Sequence, residues 1–278
     1  MNREQTTIRT NLLHGIRLNL ALAALALLTG CRDQPPAPKT PQETGRHIDS
    51  TEPVATPPLN DSLTAHFNLI EAKRTGTARI RIRQWLNEHP EDPRAEFLMG
   101  LSHHRDRRYA RALTWFQDAI QHEPVYPPAW HFLGWAHYYL GNAQSARHAF
   151  EEHLVMDPSE GDSHFALGLQ DLEAWQLDEA EQNFRKAIQL QSALPNRVKG
   201  VSKATARLSE VIETRDGNID EAITLLKESV RLYPDHYEAW YRLSQLLQQQ
   251  GRVEEAEDAQ RSFLEARERV RPKGGAFE

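Results

Sequence analysis

The sequence predicts an all-α fold, a right-handed α-solenoid of about six helix–turn–helix units. Three observations carry this. Gly100, Gly134 and Gly168 stand 34 residues apart. Ala112, Ala146 and Ala180, and likewise Phe116, Phe150 and Phe184, keep the same interval. Pro90, Pro124 and Pro158 repeat it again, where a helix should stop because the residue before a proline is biased out of helical geometry. A fixed period of 34 marks stacked helix–turn–helix units. Such a stack makes an extended binding surface a better expectation than a catalytic pocket.

Ahead of the repeats, residues 1–17 carry Arg3, Arg9 and Arg17 against one acid, Glu4, and lead into an apolar run from Leu18 to Leu28 and then Thr29-Gly30-Cys31. A basic segment, a short apolar segment and a small-residue exit make a secretory signal over residues 1–30. The run is about half of the ~20 residues a helix needs to cross a bilayer. Leu28-Thr29-Gly30-Cys31 resembles the bacterial lipobox, which implies cleavage before Cys31 and diacylation of its sulfur. The alternative is an ordinary signal peptide followed by a chance cysteine. Cys31 is the only cysteine, so an exported chain has no disulfide framework, and an acylated thiol is an anchor where a free one is a liability. Arg32 stands where an aspartate would resemble the inner-membrane retention signal, which points to the outer membrane, facing the periplasm.

Residues 31–58 form the next segment. Seven of the chain's 16 prolines fall between Arg32 and Pro58, mixed with Thr, Glu and Gln. A segment of this composition does not bury enough apolar surface to offset its ordering entropy, and reads as a Pro-rich, semi-extended tether. The whole chain has net charge −6; removal of residues 1–30 takes away three bases and one acid and leaves −8. That balance disfavours nucleic acid, which needs clustered basic surface.

With the three glycines at the eighth place, the units fall at 59–92, 93–126, 127–160 and 161–194, then 203–236 and 237–270 after eight surplus residues, 195–202, with a tail at 271–278. Trp130-x-x-Leu133-Gly134, Ala146, Phe150 and Pro158 resemble the tetratricopeptide repeat signature, and the resemblance covers residues 59–270. A mid-helix glycine costs about 1 kcal/mol relative to alanine, so its return asks for a packing reason. The expected one is that the eighth place faces the small alanine at the twentieth and lets the two helices of a unit approach, while the aromatic at the twenty-fourth fills the space between units. The last helix, near 252–269, alternates acids with Arg261, Arg267 and Arg269, as suits a polar terminal cap.

The family resemblance implies that the first helices line the concave side, with the second, fifth, ninth, twelfth and thirteenth places facing inward. This assigns Phe97, Leu101, His131, Trp135, Tyr138, Tyr139, Phe165, Leu169 and Tyr241 to a partner-binding groove. Tyr138, Phe165 and Tyr241 have a second reading as helix-packing residues. Trp135 and Tyr139 stand where polar residues are usual, and such residue types are enriched at contact hot spots; internal packing is the other reading. A groove of this kind suits an extended peptide or an amphipathic helix. The Lys/Asn clamp of the chaperone-tail subtype is absent, since its places hold Phe97, Leu101, His131, Trp135, Phe165 and Leu169.

No enzyme is expected. No H-E-x-x-H, G-x-S-x-G or phosphate-cradling glycine loop is present, and no cofactor is implied. The 13 histidines raise a metal hypothesis, but none pair at the i, i+3 or i+4 spacing that shares a helix face within the repeats; a site would need His104, His131 and Glu173 brought together from different helices. The stretch 195–202, with Arg197, Lys199, Lys203 and Arg207 nearby, is either a tolerated loop insertion or a basic docking edge. The expected function is a lipid-anchored periplasmic scaffold that mediates protein–protein interaction in envelope-complex assembly. The alternative is a periplasmic metal- or small-ligand-binding protein using the His/Trp/Tyr groove.

Overall fold

The computed structural model describes residues 53–272, which form twelve α-helices and no strand. The signal segment 1–30, Cys31 and residues 32–52 of the expected tether lie outside the described residues, as does the tail from 273. The helices pair in order: α1 (Asp61–Glu71) with α2 (Thr75–Glu88), α3 (Pro93–Arg105) with α4 (Tyr109–Ala119), α5 (Pro127–Tyr139) with α6 (Ala143–Met156), α7 (Gly161–Glu173) with α8 (Leu177–Ser192), α9 (Val198–Asp216) with α10 (Ile219–Leu232), and α11 (Tyr237–Gln249) with α12 (Val253–Val270). Each helix packs on its pair partner and on the next pair, which is the arrangement of an α-solenoid. None of the described helices is long and apolar enough to cross a membrane.

Helix starts follow local chemistry. Asn60 Oδ1 accepts from the Leu63 amide at 2.9 Å, Asp92 Oδ1 accepts from the Arg94 amide at 3.0 Å with Pro93 at the first helical position, and Asn218 Oδ1 accepts from Glu221 at 3.2 Å. These satisfy amides that a helix N-terminus leaves unpaired. Asp178–Glu179 and Asp220–Glu221 occupy first turns, where carboxylates favour the helix dipole.

The repeated glycine has a different partner from the alanine expected. A Cβ on Gly100 would lie 2.5 Å from Phe116 Cε1, one on Gly134 would lie 2.6 Å from Phe150 Cε1, and one on Gly168 would lie 2.9 Å from the Phe184 ring. The missing side chain at the eighth place is therefore the seat of the aromatic at the twenty-fourth place of the same unit. Phe116, Phe150 and Phe184 are all fully buried. Burial of such a side chain contributes roughly 1.5–3 kcal/mol, which outweighs the helix cost of glycine.

A second period lies in the backbone. Lys73, Arg107, Gly141, Trp175, Gly217 and Gly251 each close the first helix of a unit with φ between +58° and +77°. Glycine takes this conformation freely; Lys73, Arg107 and Trp175 take it against a steric penalty of about 1 kcal/mol.

Two segments differ from expectation. Of the surplus stretch 195–202, residues 198–202 are helical and lengthen α9 to 19 residues. Packing explains the extension: Ser202 Oγ donates to Ser229 O at 2.9 Å and Ser229 Oγ donates back to Ser202 O at 2.8 Å, both buried. Gly200 lies so close to Gln191 that a Cβ would meet its Oε1 at 2.1 Å. Residues 53–58, expected within the tether, lie against the solenoid. The Val54 amide donates to Met156 O at 2.8 Å at the end of α6, and Arg94 donates to Pro58 O at 3.2 Å.

Candidate functional site: the concave cleft

The first helices α3, α5, α7, α9 and α11 enclose a cleft of about 1010 Å³. His131, Trp135, Tyr138, Tyr139, Phe165, Leu169 and Tyr241 line it, as does His104. Phe97 and Leu101 do not. They are 5% and 1% exposed and belong to the core, because Phe132 and Tyr126 cover Phe97 at centroid distances of 5.5 and 5.0 Å. The groove assignment is corrected at these two positions.

One wall is aromatic. Trp135 and Tyr139 stack at 5.8 Å, Tyr139 stacks on Tyr109 at 4.5 Å, and Tyr138 meets Trp135 edge-on at 5.4 Å. Tyr139 remains 51% exposed. Trp135 rests on Phe150 at 5.5 Å, so the glycine seat that holds Phe150 also sets the height of the wall. The Trp135 indole donates to His131 Nε2 at 3.1 Å. With Nε2 accepting, His131 Nδ1 carries its proton toward Ser163 Oγ at 2.8 Å, and Ser163 reaches His153 Nδ1 at 2.9 Å. Burial, then the neighbouring His153 and His104, pushes His131 down to about 3, and burial pushes His153 down to about 4. Both rings are neutral and serve to fix Trp135. Tyr138 donates to Glu173, and its hydroxyl is pushed upward by burial and by that bond.

The facing wall is basic, and it comes from the lengthened α9. Lys199, Lys203 and Arg207 recur every four residues and therefore share one helix face. Arg207 pairs with Glu210 at 2.7 Å, Arg197 with Asp162 at 2.8 Å and Arg242 with Glu213 at 2.6 Å. Lys199 and Lys203 have no ion pair among the described residues; Lys199 lies 5.7 Å over the Tyr233 ring. Burial, followed by the charge of Lys199, lowers the Lys203 pKa. The basic edge, one of the two readings of the stretch near 195–207, is thus the second wall of the same cleft. The cluster of basic residues was legible; the helix that turns them inward was not.

The metal set is not assembled. Both His131 nitrogens are engaged by Trp135 and Ser163, and Glu173 accepts from Tyr138. Among the described residues no group of three His, Cys, Asp or Glu stands together as a metal site.

Paired helices repeating at 34 residues around an aromatic and basic cleft define a helical-repeat solenoid with a concave recognition surface. Tetratricopeptide repeat profiles match residues 69–127, 133–195 and 214–259, more than half of the chain. The chain belongs to the tetratricopeptide repeat family. No curated protein matches it. Among solved structures it is similar to PilF of Pseudomonas aeruginosa, with TM-score 0.61 at 15% identity over 77% of this chain and 91% of that one. It is similar to TTC0263, a TPR protein of Thermus thermophilus, with TM-score 0.53 at 19% identity over 67% of this chain and 97% of that one. A chain of the APC/C hetero-tetramer Cut9-Hcn1 matches at TM-score 0.64 and 16% identity, over 73% of this chain and 39% of that one. At these identities the likeness is one of fold.

Proposed function

We propose that this protein is a non-catalytic scaffold of the cell envelope, anchored through lipid on Cys31 at the outer membrane, that holds a partner protein by a peptide segment in the concave cleft. The family supports protein or peptide binding as the general role. The observation that carries the reading is the pairing of two unlike walls. Trp135 and Tyr139 offer a rigid apolar platform, and Lys199 and Lys203 offer cations that make no ion pair among the described residues, although Glu238 and Asp162 lie near enough to act on Lys203. A segment with an aromatic or aliphatic residue next to a carboxylate satisfies both walls, since buried aromatic anchors supply most contact energy and charge complementarity fixes register. The envelope location rests on the basic, apolar and Leu28-Thr29-Gly30-Cys31 pattern.

The test is capture from solubilised envelopes with residues 32–278 as bait, beside the same bait carrying Trp135→Ala with Tyr139→Ala and a third carrying Lys199→Glu with Lys203→Glu. A partner retained by the first and weakened at least about tenfold by either double variant supports the reading. Identical capture by all three baits sinks it. Fatty-acid labelling that persists in Cys31→Ala contradicts the anchor.

A further inference from the structure

The turns that join the first to the second helix of each unit form an edge distinct from the cleft. In the first four units this edge carries Lys73 and Arg74, Arg107 and Arg108, Leu140, and Trp175. Neighbouring turns lie side by side. Arg105 bonds Glu71 at 2.6 Å between the first and second, Tyr109 stacks on Tyr139 between the second and third, and Tyr138 donates to Glu173 between the third and fourth. Lys73, Arg74, Arg107 and Arg108 are exposed, and none makes an ion pair among the described residues. The acids near them are taken: Glu71 by Arg105, and Asp106 by Arg79 at 2.7 Å.

Trp175 is the outlier on this edge. It is 75% exposed, more than any other large apolar side chain among the described residues, and Leu140 is 41% exposed. Its φ is +60°, at a place where three other units use glycine. Among the described residues little of it is buried and it strains its own backbone, so the described fold supplies no reason for tryptophan there. The opposite edge, where one unit leads into the next, carries Glu88, Glu91, Asp157 and Glu160. In its first two units the turn edge is thus basic where the opposite edge is acidic; beside Trp175 it carries Glu179, together with Glu173 held by Tyr138 and Asp178 held by Arg215.

We propose that the turn edge of the first four units is a membrane-contact surface for an anionic headgroup layer, with Lys73, Arg74, Arg107 and Arg108 over lipid phosphates and Trp175 and Leu140 entering the interface. Charge complementarity argues for lipid, because basic side chains near a membrane are drawn to anionic headgroups. The spacing of the apolar groups argues the same way. They are single, separated and exposed on turns, whereas a protein partner needs an enclosed, desolvated anchor site. A headgroup layer accepts isolated tryptophans at its boundary. This contact does not depend on the cleft reading, and it holds with or without lipid on Cys31.

A single cysteine makes the test direct. In the full-length chain with Cys31→Ser, a polarity-sensitive fluorophore is placed at Trp175→Cys, at Leu140→Cys (which leaves Trp175 in place), or at Ser159→Cys on the opposite edge. With phosphatidylglycerol-containing vesicles, emission at positions 175 and 140 shifts to the blue while position 159 does not. The shift is absent with pure phosphatidylcholine vesicles, falls as salt screens the charges, and is lost in the Lys73→Glu, Arg74→Glu, Arg107→Glu, Arg108→Glu background. The salt series on the unreversed chain keeps the test valid if the fourfold variant unfolds. No shift at 175 and 140, or an equal shift at 159, overturns the proposal. A shift produced by a solubilised envelope protein but not by vesicles also overturns it and makes the edge a protein contact.

Discussion

Units two to four and the two terminal ones solve the same packing problem with different residues. In the centre, glycine at the eighth place seats phenylalanine at the twenty-fourth, three times over. In the first unit the same places hold His66 and Ile82, and in the last Ser244 Oγ donates to Gln260 Oε1 at 3.2 Å. The last unit has one neighbour fewer and tolerates a polar pair, whereas units two to four are enclosed and fill the place with phenylalanine. The difference bears on function, because Trp135 rests on Phe150. The most regular part of the repeat is also the mount of the aromatic wall.

The largest effect should come from emptying a central seat. Phe150→Ala is expected to lower stability by about 3–5 kcal/mol and to loosen Trp135, whereas Gln260→Ala in the terminal unit should cost under about 1 kcal/mol; urea melts of both compare the two regions directly. Filling a seat comes next. Gly100→Ala and Gly134→Ala should destabilise by about 1–3 kcal/mol through overpacking, and Gly168→Ala less, since its Cβ would meet Phe184 at 2.9 Å. Gly76→Ala in α2 meets nothing within 4 Å and should raise stability by up to about 1 kcal/mol. Equal effects at Gly76 and Gly134 would break the comparison.

Acid sharpens it further. Burial lowers His104 to about 4, His131 to about 3 and His153 to about 4, all in units two and three, and lowers His236 to about 4 nearer the other end. Unfolded histidine titrates near 6.5. A folded value below the unfolded one means the neutral ring stabilises the fold fully above about pH 6.5, and that this contribution is lost as pH falls toward 4. Hydrogen-exchange protection, corrected for the slower intrinsic exchange at lower pH, should therefore fall more from pH 7 to pH 5 in α3–α6 than in α11–α12. The smallest effect is expected at Trp175→Gly, which relieves a left-handed residue and should stabilise by about 1 kcal/mol; a loss of stability would show that Trp175 serves the fold.

The fold was legible because a helix pair that must stack on copies of itself repeats its constraints at one period, and Gly134, Ala146, Phe150 and Pro158 display that period openly. Burial within the period was harder to read. Leu101 and Trp135 occupy the same ninth place on successive first helices, yet Leu101 is buried in the core while Trp135 faces the cleft; that choice is made by the neighbouring unit. Lys199 and Lys203 looked like a loop edge because nothing local announces that α9 starts at Val198. The Ser202–Ser229 bonds that hold the extension join residues 27 apart, a contact the sequence does not display.

The cleft is tested most directly by photo-crosslinking in living cells, with a photoreactive phenylalanine placed at Tyr139 and at Tyr241 on opposite stretches of the cleft, and at Ile80, which is 61% exposed on α2. The same partner protein crosslinked from Tyr139 and Tyr241, and not from Ile80, is the predicted result. A partner crosslinked from Ile80 alone, or no protein crosslinked from either cleft position, would contradict a concave site.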